Sequence, residues 1–195
     1  MKRLAAIGLM ALAPTFVLAQ TSGDPPTSPY AGEETREIMS LSAEDIAELR
    51  RGGGWGLARA AELNGVPGPA HLLELKDDIP LTPDQVSAIE AIFEPMRQAA
   101  IAEGDRLIAR EQALDEAFRG RSVTSESLRE MVAKIEESRS ALRYIHLATH
   151  LTTPALLSEE QIARYNALRG YGADPCATVP AGMDPAMWRM HHRCE

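Results

Sequence analysis

The sequence predicts an all-α protein built on one long antiparallel helical hairpin with short flanking helices. Two long amphipathic stretches, a pair of matching helix-start signals around them, and a composition poor in aromatic residues carry that reading. From Val86 through Ile89, Phe93, Met96, Ala100, Leu107 and Leu114 to Phe118, apolar residues recur at helical or heptad steps. After a turn at 120–124 the pattern resumes with Leu128, Met131 or Val132, Ile135, Leu142, Ile145 and Thr149. Two such stripes joined by a short connection bury each other by folding back antiparallel, or they meet a second subunit. Aromatics make up 5% of the chain while Ala, Glu, Leu and Arg abound, which suits long helices over a thin core.

The elements follow in order. Lys2 and Arg3, the apolar run Leu4 to Leu12 and Val17-Leu18-Ala19 have the plan of a secretory signal, so residues 1–19 are expected to be a cleaved signal peptide. That run is too short to span a bilayer and charge interrupts every later one, so no membrane span is expected after cleavage. Residues 20–40 are expected to be a flexible leader, rich in Pro, Ser, Thr and Gly over 20–32. Residues 41–80 are expected to form short helices. One is capped by Ser42, runs from Ala43 to Arg50 and stops at Gly52-Gly53-Gly54; another runs from Leu57 to Leu63 and ends at Asn64-Gly65. No Gly-Lys-Ser/Thr follows these glycines, so they are helix stops and not a phosphate loop.

At Leu81-Thr82-Pro83-Asp84-Gln85, Thr82 is a good N-cap, Pro83 suits the first helical position and Gln85 completes a capping box. The helix expected from Pro83 to Phe118 would be about 54 Å long at about 1.5 Å per residue. Pro95 predicts a kink in it and Gly104 a weak point. Leu157-Ser158-Glu159-Glu160-Gln161 repeats the start signal, opening a short helix that reaches Leu168 and is stopped by Gly170. The hairpin domain is thus expected over residues 81–170, with a tail over 171–195. The only cysteines, Cys176 and Cys194, lie in that tail. In an oxidising compartment they are expected to form a disulfide, worth about 3 kcal/mol in the chain-entropy model, since the CxxC spacing of metal or redox thiol pairs is absent.

Charge and chemistry narrow the function classes. The formal net charge is -8, and removing residues 1–19 with Lys2 and Arg3 lowers the basic count from 20 to 18 against 28 acidic residues, a net of -10. With basic residues scattered among carboxylates, no nucleic-acid partner is expected. No nucleophile elbow or cofactor fingerprint occurs, and carboxylates on solvated helices have nothing to raise their pKa, so the chain is read as a binding protein and not an enzyme.

His146 and His150 are one helical turn apart, a spacing at which two imidazoles can hold one metal ion. Leu147 stands where a metalloprotease carries Glu, which excludes that chemistry. If the chain folds back near residue 121, His146 falls opposite Met96 and His150 opposite Ile92. Glu94, or less directly Glu90, then completes a candidate site for Zn, Ni, Co or Cu, with His71 and Glu74 ahead of the first long helix as further candidates. The plainer alternative is that the His pair hydrogen-bonds across the hairpin while Arg97 or Arg143 neutralises Glu94. No cofactor is otherwise required. In the tail, Met190-His191-His192-Arg193-Cys194 with Met183 and Met187 form a second, softer candidate, and Trp188 is expected to pack the disulfide loop against the hairpin.

The two L-[TS]-x-x-Q motifs, Leu81, Thr82, Gln85 and Leu157, Ser158, Gln161, bracket the hairpin behind an export signal. In this the chain resembles the Spy/CpxP family of periplasmic stress proteins and its relatives among periplasmic heavy-metal sensors of the CnrX type, over about residues 70 to 170. The resemblance implies a periplasmic, all-helical homodimer with a cradle-like surface. It further implies an ATP-independent chaperone or adaptor that binds unfolded or envelope proteins or restrains a sensor kinase; the alternative it implies is a heavy-metal sensor using His146 and His150. The chaperone relatives present a basic concave face, whereas this chain is acidic. The metal-sensing relatives carry H-x-x-x-H ahead of the first motif, where this chain has only His71. Residues 30–66 and the tail have no counterpart in the family. A third reading makes the hairpin a dimerisation module with the termini as the working parts.

Overall fold

The structure is a computed structural model and describes residues 27–171, 179 and 182–194. The expected signal peptide and Cys176, with the disulfide expected of it, lie outside the described residues. The chain divides into two units at Glu34. The described part of the first, residues 27–34, is a run of turns closed by bonds from Ala31 N to Ser28 O and from Glu33 N to Tyr30 O.

The second unit holds seven α-helices among its described residues: α1 (Ala43–Arg50), α2 (Arg59–Glu62), α3 (Pro69–Glu74), α4 (Pro83–Arg119), α5 (Ser125–Thr152), α6 (Glu159–Leu168) and α7 (Pro185–His192). A 3-10 turn, Thr153–Leu156, follows α5. No strand occurs among the described residues, so they are all-helical, and none of their helices is long and apolar enough to cross a membrane.

Side-chain caps set the helix starts. Ser42, Thr82, Thr124 and Ser158 each accept a hydrogen bond from the backbone N–H three residues on, and each of those residues returns one to the cap. A cap of this kind contributes about 1 kcal/mol. α2 is shorter than the helix expected over 57–63, because Trp55 (φ 44°) and Gly56 (φ 69°) turn the chain left-handed just before it and Ala58 offers no cap. α4 runs through Pro95 and Gly104 as one 37-residue element.

α4 and α5 pack against each other across residues 120–124 through Leu107, Ile108, Ile135 and Leu142. Polar side chains also link them: Glu103 meets Ser138, and Arg110 meets Ser138 and the Lys134 carbonyl. Four of the ten buried residues of this core come from the N-terminal segment. Ile38, Leu41, Ile46 and Leu49 are buried in the same cluster, so the packed unit begins at Thr35 and the leader expected to reach residue 40 ends earlier. Each such side chain contributes roughly 1.5–3 kcal/mol when removed from water. Phe118 and Val132, expected on the seams, are 56% and 43% exposed instead. They lie near the α4–α5 turn, beyond the cover of the N-terminal segment.

Gly104 is a contact point and not a weak point. A Cβ there would stand 2.7 Å from the Leu49 carbonyl oxygen and 3.2 Å from Leu49 Cβ. Gly52, with φ +72°, has the reciprocal role: its Cβ would meet the Arg97 carbonyl at 2.7 Å. Two glycines thus let the end of α1 lie directly on the α4 backbone.

Buried charge completes this interface. Glu111 on α4 accepts hydrogen bonds from Ser40 Oγ at 2.8 Å and Arg139 Nη2 at 2.6 Å. Arg139 lies over the Trp55 ring at 5.1 Å, and Trp55 Nε1 donates to Asp45 at 2.7 Å. That last bond holds the Asp45 carboxyl below its ordinary value. Glu103 accepts from Ser138 Oγ at 2.6 Å and from Arg106. Burial raises the Glu103 carboxyl, but the bonds from Arg106 and Ser138 outweigh it and the net shift is downward.

Two outcomes follow. Gly104→Ala lowers unfolding free energy in urea by about 1–3 kcal/mol, as overpacking does, while Gly54→Ala, with nothing within 4 Å, changes it little. Because the Glu103 pKa is depressed below 4.5 in the folded chain, its contribution is present above that pH and is lost as pH falls through the folded value. Glu103→Gln is therefore destabilised at neutral pH, and its deficit against the unsubstituted protein shrinks in melts run below about pH 4.

Candidate functional site

The two L-[TS]-x-x-Q motifs meet. Gln85 Nε2 donates to Gln161 Oε1 and Gln161 Nε2 donates to Gln85 Oε1, both at 2.9 Å. Each amide also donates to the carbonyl just ahead of the other motif: Gln85 to Leu156 O at 2.7 Å and Gln161 to Pro80 O at 2.8 Å. Each Oε1 in turn accepts from its own cap, Thr82 N or Ser158 N, at 2.9 Å. Every donor of both amides is used, as partly buried amides require. Leu81 and Leu157 pack beside this knot on a second core of Leu72, Ile79, Ile89 and Tyr165. Burial pushes the Tyr165 hydroxyl up to about 12.

Between the two cores opens a cleft of about 360 Å³, walled by the glycine turn at 52–54, residues 68–71 and the last two turns of α5. His146, His150 and His71 all line it. His146 is 5% exposed, and its Nε2 is buried with no hydrogen-bond partner. Burial lowers the His146 pKa below 6.5, the nearby His150 adds to this, and a hydrogen bond with the Gly53 backbone opposes it.

The His150 ring is held by the loop before α3: its Nδ1 lies 2.8 Å from Val66 O, which can only accept, so Nδ1 donates. The Nε2 edge of the ring stands against Gly68, where a Cβ would come within 2.5 Å of Nε2. His71 Nδ1 bonds Glu74 at 2.8 Å, and its Nε2 lies 3.4 Å from Glu62 Oε1. Glu62 Oε2 accepts from the Tyr171 hydroxyl at 3.0 Å and from Arg169 at 3.4 Å.

The structure thus brings together four of the residues singled out in the sequence, His71, Glu74, His146 and His150, with Met96 beside them, and leaves Glu94 and Glu90 apart. Glu94 is 54% exposed and held by Arg97 and Gln98, whose hydrogen bonds draw its carboxyl down to about 2; it does not line the cleft. Among the described residues, no three His, Cys, Asp or Glu side chains are grouped so as to hold a metal ion. In the tail, Met183, Met187 and Met190 are exposed. Glu62, Gly68 and the Val66 carbonyl went unmarked in the sequence. Asn64-Gly65 just after Glu62 hints that the chain turns there, but nothing local says what it turns towards.

On the other side of His150 lies an apolar groove, also of about 360 Å³, formed by Ala60, Ala61, Val66, Tyr144, Leu147 and Leu151. Tyr144 is 72% exposed and Leu151 83% exposed. No family model matches this sequence, and neither a curated protein nor a solved structure matches it.

The reciprocal amides predict coupling. Gln85→Ala and Gln161→Ala each lower unfolding free energy by about 1–3 kcal/mol through partners left unsatisfied, and the double variant loses clearly less than the sum, because either change alone already breaks the pair. Additive losses in denaturant melts contradict the pairing.

Proposed function

We propose that this protein is a periplasmic, ATP-independent polypeptide-binding protein of the Spy/CpxP type. In this reading it acts as a chaperone or adaptor that holds unfolded segments or an envelope sensor against an antiparallel helical hairpin, as a homodimer. The observation that carries the reading is the Gln85–Gln161 pair. The two motifs on which the family resemblance rests form one hydrogen-bonded unit, so their pairing in the sequence reflects a structural requirement.

The apolar groove beside α5 supplies the surface such a function needs. Tyr144, Leu147 and Leu151 offer exposed apolar area on a rigid helix, and Val66 with the alanines of α2 forms the facing wall. Grouped exposed apolar side chains of this kind mark interaction sites more often than scattered single ones. The chain's negative charge favours clients with basic residues flanking their apolar segments, in contrast to relatives with a basic face.

The test is suppression of light scattering by a heat- or reduction-unfolded client. Protein at equimolar ratio reduces scattering, and Leu151→Glu or Tyr144→Glu weakens that effect severalfold. Both positions are exposed, so circular dichroism and melting change little. Unchanged client aggregation at several-fold excess of folded protein overturns the proposal.

A further inference from the structure

We propose that the outward face of α7 is a binding site for monovalent copper, held by the thioethers of Met183, Met187 and Met190 with the His191 imidazole beside them. The site shares no residue with the cleft or the apolar groove and does not rest on the polypeptide-binding reading.

The helix sets the spacing of the sulfurs. α7 is capped at both ends: Asp184 accepts from Met187 N at 2.8 Å, Pro185 stands in the first turn, and the chain leaves through Arg193 at φ 55° with Cys194 N bonded to Arg189 O at 2.9 Å. At about 100° per residue, Met190 lies about 60° to one side of Met187 and His191 about 40° to the other. Side chains three or four residues apart on a helix stand about 5–6 Å apart at Cβ, a gap that long thioethers can close around one ion. Met183 comes one turn before Met187, just ahead of the cap, and the free torsions of its unbranched side chain let its sulfur join them.

Exposure and chemistry select the ligand. Met183, Met187 and Met190 are 55%, 63% and 75% exposed, whereas Met96 is buried in the first core, so three sulfurs meet solvent within eight residues. This is not the face of a helix built to dock on an apolar partner. Trp188, the largest apolar side chain of α7, is half-buried about 100° round from Met187, and the arc from Met190 to His191 offers only sulfur and an exposed imidazole. Arg189 falls about 160° from Met187, which puts its charge on the far side. Thioethers are soft, neutral donors and select Cu(I), while zinc, nickel and cobalt are held better by imidazole, thiolate or carboxylate.

The test is an anaerobic titration of the full protein, carrying 13C-methyl methionine, with Cu(I) kept reduced by ascorbate, which leaves disulfides intact, and in parallel with zinc. The protein is expected to take one equivalent of Cu(I) from a weak chromophoric chelator and to shift the methyl signals of Met183, Met187 and Met190 but not that of Met96. Zinc leaves all three signals in place. The double variant Met187→Leu/Met190→Leu keeps side-chain size and helix propensity at exposed positions, so its circular dichroism is unchanged, and its Cu(I) uptake weakens at least about a hundredfold. His191→Ala weakens uptake severalfold. No uptake from the chelator overturns the proposal. Uptake that persists in the double variant with the methionine signals unmoved also overturns it, and makes the copper an adventitious ligand of chain-end histidines.

Discussion

Two glutamine side chains, 76 residues apart in sequence, hold each other by a pair of amide hydrogen bonds, and much of the architecture depends on that contact. Gln85 sits in the first turn of the longest helix and Gln161 in the first turn of the last one packed on the core. Each closes its own capping box and then reaches across to the other motif. A capping glutamine usually spends its amide N–H groups on water. Here they go to the partner amide and to the carbonyl ahead of the partner motif, so the start of α4, the turn after α5 and the start of α6 share one junction. The apolar cluster of Leu72, Ile79, Ile89 and Tyr165 lies against this junction and shields it from water, which strengthens each bond.

At the other end of the molecule the constraint is different. Two helices alone would leave one side of α4 bare, and the segment from Ile38 to Leu49 covers it. The approach is close because Gly52 and Gly104 each face a backbone carbonyl of the other element. Around that contact, Glu103 and Glu111 are buried but supplied with hydrogen bonds from Ser138, Ser40, Arg106 and Arg139. Removing one partner from such a pair is more damaging than the pair is stabilising, so the network acts chiefly to make this arrangement of α1, α4 and α5 the only satisfied one.

The cleft draws its walls from a glycine turn, from the start of α3 and from the end of α5, with Met96 of the first core beside them. His150 contacts both the polar cleft and the apolar groove, and its bond to Val66 joins α5 to the loop between α2 and α3. The two surfaces are therefore built on a shared side chain, while their chemistries differ: imidazoles and carboxylates on one side, alkyl and aromatic groups on the other.

Helix starts, helix length and the all-helical class were legible in the sequence, because caps and a repeating apolar step act within a few residues of where they stand. Ser42, Thr82 and Ser158 could be picked out for that reason, and so could Ile89, Met96, Leu107, Ile135 and Leu142 as buried positions. The reading of Gly104 as a weak point, of Phe118 as a seam residue and of Glu94 as a partner of the histidines all failed to match, since each depends on what another part of the chain places beside it. His71, Glu62 and Gly68 come to the His146–His150 pair from positions some eighty residues away, which periodicity does not record. By itself the sequence determined which segments become helices and which face of each is apolar, as these follow from local hydrogen bonding and side-chain spacing. Only the tertiary structure decided that the twin motifs bond to each other and that one imidazole nitrogen of His146 is buried without a partner, because burial and the pairing of polar groups are properties of the packed chain.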